Sequence, residues 1–282
     1  MSHFNEAKGS FGHAWYNLLD HLYHEGKTTT PRGIETRETC AVSLTVANAL
    51  ASVLVDPARN LNYRFMVAEW LWITAGRRDV ASLARFNGKM ANFSDDGVTL
   101  AGAYGPRLLP QWPWLLDALR RDHDTRQAVA TVFTPMPAPS KDVPCTLSFQ
   151  LLRRDHRLHG IVTMRSSDVW LGLPYDFFTF SQLLNSCAAA LEVRVGSLTF
   201  NLGSSHLYAT DFEAAREALR RQETSTLAMA PLQRYLSPGD AERVLLGYDG
   251  EGFPTFPYYD VLHVAKTRLE ALEVLRAASK RA

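Results

Sequence analysis

Cysteine is scarce in this chain. Only Cys40, Cys145 and Cys187 occur in 282 residues, and no two are close in sequence. That spacing gives neither a disulfide framework nor a zinc-ligand pattern, and no metal is expected. It fits a reducing compartment with one functional thiol. Excess charge is also missing. The net charge is +1, so no global field draws the chain to nucleic acid or to an acidic membrane. An anionic ligand would have to be held by locally placed arginines. No apolar run approaches the length of a membrane span. The start, Met-Ser-His-Phe-Asn-Glu, lacks the charged-then-apolar order of a secretion signal. A cytoplasmic protein is expected. Repeats and low-complexity linkers are absent as well. What remains is 46% hydrophobic and 21% charged, enough for a sizeable core.

Apolar spacing predicts helices over 11–24, with Gly26 as a stop, and over 62–75, 111–121, 174–191 and 260–279. A short helix is expected near 79–87, followed by a loop with Asp95-Asp96-Gly97, and another helix after Asp211 as N-cap. Residues 27–38 read as a polar loop. Strands are expected over 39–48, 127–134, 146–153, 157–164 and 195–203, with a proline-rich loop over 135–144. Strands and a helix interleave between 144 and 208 as though sharing one core. One α+β domain over residues 1–282 follows.

Several residues could carry chemistry. Cys145 follows Pro144 at a strand start and is either a small core residue or a nucleophile. Glu69 lies among Trp70, Leu71 and Trp72 inside an apolar helix. It is either a helix-edge carboxylate paired with Arg64 or an exposed Lys, or kept buried for proton transfer, where burial would raise its pKa. Arg165 could form a structural ion pair with Asp168 or offer a fork for a terminal phosphate. His206 and Tyr208, two apart, share one face of a strand.

The run Arg165-Ser-Ser-Asp-Val-Trp-Leu-Gly-Leu-Pro-Tyr-Asp176 resembles the nucleotide-binding segment of the thymidylate synthase family. Pro144-Cys145-Thr-Leu-Ser-Phe-Gln150 resembles that family's nucleophile segment, and Glu69-Trp-Leu-Trp72 its Glu-Leu-Leu-Trp segment. The likeness covers roughly residues 30–220. It implies a thymidylate synthase-like fold, a mixed or antiparallel sheet covered by helices, and 5,10-methylenetetrahydrofolate as co-substrate. It implies Cys145 as nucleophile, Glu69 in proton transfer, and Tyr104, followed by Gly105, beside the nucleophile. Arg165 and Ser166 would bind the substrate phosphate, with Arg32 covering it from a loop where Arg37 could compete. Arg126 would reach the phosphate of the partner in a homodimer. His206 and Tyr208 would hold the sugar 3′-hydroxyl, and Asp168 and Gly172 would face the folate pterin.

The chain also departs from the family. Thr146 stands where a His is usual, and Gln127 where a second arginine is usual. Met90 and Phe93 fall near two missing tryptophans, and the closing C-terminal tail is not recognisable. Asp176 stands where thymidylate synthases carry an Asn. An Asn amide offers a donor and an acceptor, which suits uracil. An ionised carboxylate only accepts, which suits the 4-amino group of cytosine. The departures resemble the hydroxymethylase branch and imply CMP or dCMP as substrate, giving 5-hydroxymethylcytidylate. A cytidylate 5-methyltransferase or a divergent thymidylate synthase is the alternative. Two readings outside that chemistry are a Cys145–His206–Asp176 hydrolase triad and a non-catalytic nucleotide- or RNA-binding relative.

Overall fold

The computed structural model describes residues 2–6, 9–135, 139–248 and 257–280. Its strands are β1 (Ser2–Glu6), β2 (Lys27–Thr29), β3 (Thr36–Val46), β4 (Ala51–Val55), β5 (Val129–Thr131), β6 (Thr146–Arg154), β7 (Arg157–Met164), β8 (Ser167–Asp168), β9 (Arg194–Tyr208) and β10 (Ser225–Ala228). Its α-helices are α1 (Phe11–Glu25), α2 (Tyr63–Thr74), α3 (Val80–Ala84), α4 (Gly105–Leu108), α5 (Trp112–Arg121), α6 (Leu173–Ala190), α7 (Phe212–Arg221), α8 (Pro238–Leu246) and α9 (Arg268–Ser279).

The main sheet runs β1-β3-β9-β7-β6-β5, with β2 also on β3 and β8 also on β9. It is mixed. β7 and β9 pair in parallel, because the chain crosses from one to the other through α6; β6–β7 and β3–β9 are antiparallel. β4 and β10 form a separate antiparallel pair.

Helix α6 is buried nearly all round, with its phenylalanines and leucines in the core. Phe177 and Phe180 of α6 meet Phe200 of β9 at 5.4 and 5.9 Å, Phe149 of β6 lies 5.2 Å from Phe180, and Phe11 of α1 stacks on Phe177 at 4.1 Å. All five rings are fully buried. Each such side chain contributes about 1.5–3 kcal/mol by leaving water. Helix α2 is capped by Asn62, whose side chain accepts the Phe65 N–H. Its Trp70 packs edge-on to Phe178 and Tyr258. The C-terminal part closes on α6 and α2: Tyr258 donates to Gln182 Oε1 of α6 at 3.0 Å, and Arg64 of α2 donates to the Leu262 carbonyl at 2.9 Å.

Several expectations are corrected. The polar loop 27–38 holds β2, a 3₁₀ turn over Pro31–Gly33 and the start of β3. β4 arises from a short apolar run that periodicity alone leaves ambiguous. Strand 127–134 shrinks to β5. Asp211 flanks α7 but its side chain makes no cap bond. The helix expected over 260–279 breaks into a π-helical turn, Asp260–Val264, and α9. There Thr267 and Glu270 form a capping box, which satisfies the N-terminal amides of a new helix rather than continuing the old one. Residues 136–138 of the proline-rich loop lie outside the described residues.

Candidate active site

Cys145 ends the loop that leads into β6, with buried Pro144 before it. Its backbone is tied to the next hairpin, because the Arg165 N–H donates to the Cys145 carbonyl at 2.9 Å. The Arg165 side chain grips the same loop, donating to the carbonyls of Pro144 at 3.0 Å and Val143 at 2.9 Å. It makes no ion pair with Asp168 among the described residues, so the ion-pair alternative falls away. Tyr104 comes from the other side: its hydroxyl accepts the Thr146 N–H at 3.3 Å. Burial pushes the Cys145 thiol up. The Arg165 charge works against that, and the Asp176 carboxylate reinforces it.

Three carboxylates stand in a row near this thiol. Burial raises Glu69 to about 8, with the neighbouring Asp176 adding to the shift. Burial likewise raises Asp176 to about 7, with Asp168 adding to it. Asp168 rises to about 6, again through burial, although two backbone N–H groups oppose the change. Those donors are Trp170 and Leu171, both 2.8 Å from Asp168 Oδ1. Glu69 and Asp176 accept no hydrogen bond among the described residues, and Arg64, the expected partner of Glu69, points instead to Leu262 and Phe86. Burial is the main cause of all three shifts, and the neighbouring carboxylates add to it.

His206 is buried and Tyr208 half-buried, with their rings 5.0 Å apart on one face of β9. Burial holds the His206 imidazole below its ordinary pKa. Arg32 reaches Tyr208, its Nη2 donating to the phenol oxygen at 3.1 Å, from a residue in the left-handed region at φ 55°. Arg37 is not available to compete, since it lies over the rings of Tyr23 and Phe212. Asp168 pairs in register with His206, and Gly172 starts α6 beside it. A Cβ added at Gly172 would meet Asp176 Oδ2 at 3.5 Å and the Asp168 carbonyl at 3.6 Å, both ordinary contacts. Ser166 is half-buried beside Arg165.

Arg126 is not part of this cluster. It is exposed just before edge strand β5, and its carbonyl accepts the Gln150 amide at 3.1 Å.

Sequence reasoning missed Arg59, Trp15, Asp142 and Glu38. Arg59 donates to the Trp170 carbonyl at 2.5 Å and covers the rings of Trp170 and Tyr175, while Trp15 donates to the Val169 carbonyl at 2.7 Å. Together they pin the turn that carries Asp168. Asp142 accepts the Gly102 N–H at 2.7 Å and so joins the loop before Cys145 to the segment preceding Tyr104. The contacts that place these residues join positions 40 to 166 apart in sequence, and no local pattern marks them. Among the described residues, no group of three or more His, Cys, Asp or Glu could hold a metal, and no helix is long and apolar enough to cross a membrane.

A mixed sheet backed by α6, with Cys145, the half-buried Glu69 and Arg165 contributed by the elements around it, defines the α+β class of the fold. The thymidylate synthase family model matches residues 13–238, and the chain belongs to that family. It is 34% identical over 220 residues to a deoxyuridylate hydroxymethyltransferase of Bacillus phage SP01, covering 71% of this chain and 57% of that protein. It is also 34% identical over 167 residues to a deoxyuridylate hydroxymethyltransferase of Pseudomonas phage M6, covering 55% of this chain and 47% of the relative. The chain thus spans about half the length of these curated relatives.

Proposed function

We propose that this protein is a folate-dependent hydroxymethyltransferase that acts at C5 of a pyrimidine nucleoside monophosphate, with cytosine as its base. The observation that carries the reading is Asp176: a half-buried carboxylate without a partner among the described residues, raised to about 7, in the row that includes Glu69 and close enough to the Cys145 thiol to raise it. Cytosine presents an amino donor and the N3 acceptor side by side. A carboxyl group that shares one proton with N3 satisfies both.

The residues divide the work. Arg165, Ser166 and Arg32 hold the phosphate, and His206 and Tyr208 the sugar. Cys145 thiolate adds to C6, which makes C5 nucleophilic. Methylenetetrahydrofolate supplies a one-carbon unit at the oxidation level of formaldehyde. Asp168 fits it as an acceptor, since its Oδ2 accepts no hydrogen bond among the described residues, and the glycine at 172 leaves room beside it. Glu69, titrating near 8, relays the C5 proton. Once the one-carbon unit is bonded to C5 and tetrahydrofolate has left, water would add to the exocyclic methylene on the base, and the thiolate would leave from C6. Phe93, about half exposed where the family has a tryptophan, leaves the folate side open to that water.

The test is to incubate the protein with methylenetetrahydrofolate and each of CMP, dCMP, UMP and dUMP, and to weigh the products. A gain of CH₂O on the cytidylate is expected. The folate product should be tetrahydrofolate, because hydration consumes no hydride. Dihydrofolate absorbance rising in step with turnover, with a gain of CH₂, would establish the methyltransferase instead. Uridylate is the second reading. Both curated relatives are named for deoxyuridylate, and a neutral Asp176 acid could donate to O4 and accept from N3–H.

The active unit in this proposal is a homodimer. One sheet face buries Val42, Leu44, Phe149, Val162, Leu198 and Phe200, whereas Thr45, Gln150, Ile161, Thr163, Thr199 and Asn201 on the other stay half-buried. That flat second face suits a twofold partner, and Arg126 at the sheet edge would reach the partner's phosphate. Arg126→Ala and Cys145→Ala should each be inactive alone. Unfolded and refolded together, they should recover up to about a quarter of wild-type activity, because half the dimers are mixed and each has one intact site. Mixed dimers seen by mass without recovery would remove Arg126 from the partner's site.

A further inference from the structure

The sugar end of the site contains a carboxylate that the reaction above does not use. Glu38 of β3 pairs directly with His206 of β9, and Asp168 of β8 pairs with His206 from the other side. Residues paired across neighbouring strands project to the same face. Asp168, His206 and Glu38 therefore form one row, with Tyr208 two residues along on that face. Glu38 is half-buried and makes no ion pair among the described residues. Ser204 donates to its Oε1 at 2.5 Å, while its Oε2 accepts no hydrogen bond there. It does not bond to His206, whose ring nitrogens are also uncommitted among the described residues, so it does not act by orienting the imidazole.

We propose that Glu38 accepts the 2′-hydroxyl of the substrate sugar and makes this protein selective for ribonucleotides over 2′-deoxyribonucleotides. The inference rests on the nucleotide reading above, with His206 and Tyr208 at the 3′-hydroxyl. The two hydroxyls of a ribose are vicinal, so a group beside His206 in the same row meets the second one. A carboxylate oxygen is a pure acceptor, and a hydroxyl is the neutral donor that satisfies it, as carboxylates do for ribose in dinucleotide-binding folds. A deoxyribose would set a C–H against the same oxygen and leave a partly desolvated carboxylate without a donor. Ser204 occupies Oε1 and fixes the rotamer, so Oε2 is presented ready-made.

The experiment is calorimetric binding of CMP, dCMP, UMP and dUMP to the full chain without folate. For whichever base binds, the ribonucleotide should bind at least about tenfold tighter than its deoxy counterpart. Glu38→Ala should cut that preference to within about threefold, through loss on the ribonucleotide side, and Glu38→Gln, which keeps one acceptor, should leave an intermediate preference. Thermal melts report whether each variant folds. If Glu38→Ala does not fold, the wild-type ratio and Glu38→Gln decide. Equal or tighter binding of deoxynucleotides by the wild type overturns the proposal. So does a preference unchanged in the variants, or an equal loss for both sugars, which would mark a purely structural role. Absence of binding by all four nucleotides would overturn the nucleotide reading itself, before any comparison of sugars.

Discussion

Cys145→Ala should reduce release of tritium from 5-tritiated nucleotide at least about a thousandfold, a loss of about 4 kcal/mol of transition-state stabilisation. C5 of a pyrimidine is not acidic until C6 carries a nucleophile, so exchange and transfer both depend on the covalent adduct. The surroundings of Cys145 add a pH signature. Burial raises its thiol, and Arg165 pulls it back. Thiolate is therefore scarce at low pH, and wild-type exchange should climb as pH rises. Arg165→Lys keeps a charge but cannot grip both the Pro144 and Val143 carbonyls as the guanidinium does. It should leave exchange measurable but slower, with its rise moved to higher pH. Substantial exchange by Cys145→Ala would mean that another group adds to C6.

Asp176→Asn should shift the ratio of uridylate to cytidylate turnover by roughly ten- to a hundredfold toward uridylate at pH 8, the equivalent of about 1–3 kcal/mol for one mismatched polar contact. Above about pH 7 the wild-type group is ionised and offers no donor to uracil O4, while an Asn amide offers one at every pH. Wild-type cytidylate binding should weaken as pH rises past about 7, because the proton shared with N3 is lost, and the Asn variant should lack that fall. Stability gives a readout independent of turnover. The carboxyl titrates at 3.8 when unperturbed and at about 7 in the fold. Between those values the folded state binds more protons than the unfolded one, so ionisation there erodes stability as pH rises. Asp176→Asn should therefore melt higher than wild type at pH 8, with little difference at pH 4. A variant that keeps the cytidylate preference would show that position 176 does not read the base.

The legible parts of this chain are those whose meaning lies in adjacent residues. The segments 144–150 and 165–176 can be recognised as they stand, because a loop–strand and a turn–helix carry their groups at fixed local spacing. The cores of α1, α2 and α6 follow from apolar periods that only a helix can bury together. Strand ends, β2, β4, β10 and the break before α9 were illegible or misread. Short runs satisfy several conformations, and capping competes with continued periodicity there.

Sequence alone determined the family likeness, the cysteine, the glutamate among tryptophans and the unusual carboxylate at 176. Tertiary structure alone decided how they are poised. It set Glu38 across from His206, put Arg32 on Tyr208, turned Arg165 back onto the loop before Cys145, took Arg37 away to Tyr23, and left Arg126 at a sheet edge. It also lined up Asp168, Asp176 and Glu69, from three separate elements, where burial shifts all three upward. Contacts between positions far apart in sequence come from strand register and helix packing. A shifted pKa comes from the solvent that packing excludes. Neither quantity belongs to any residue until the chain has folded.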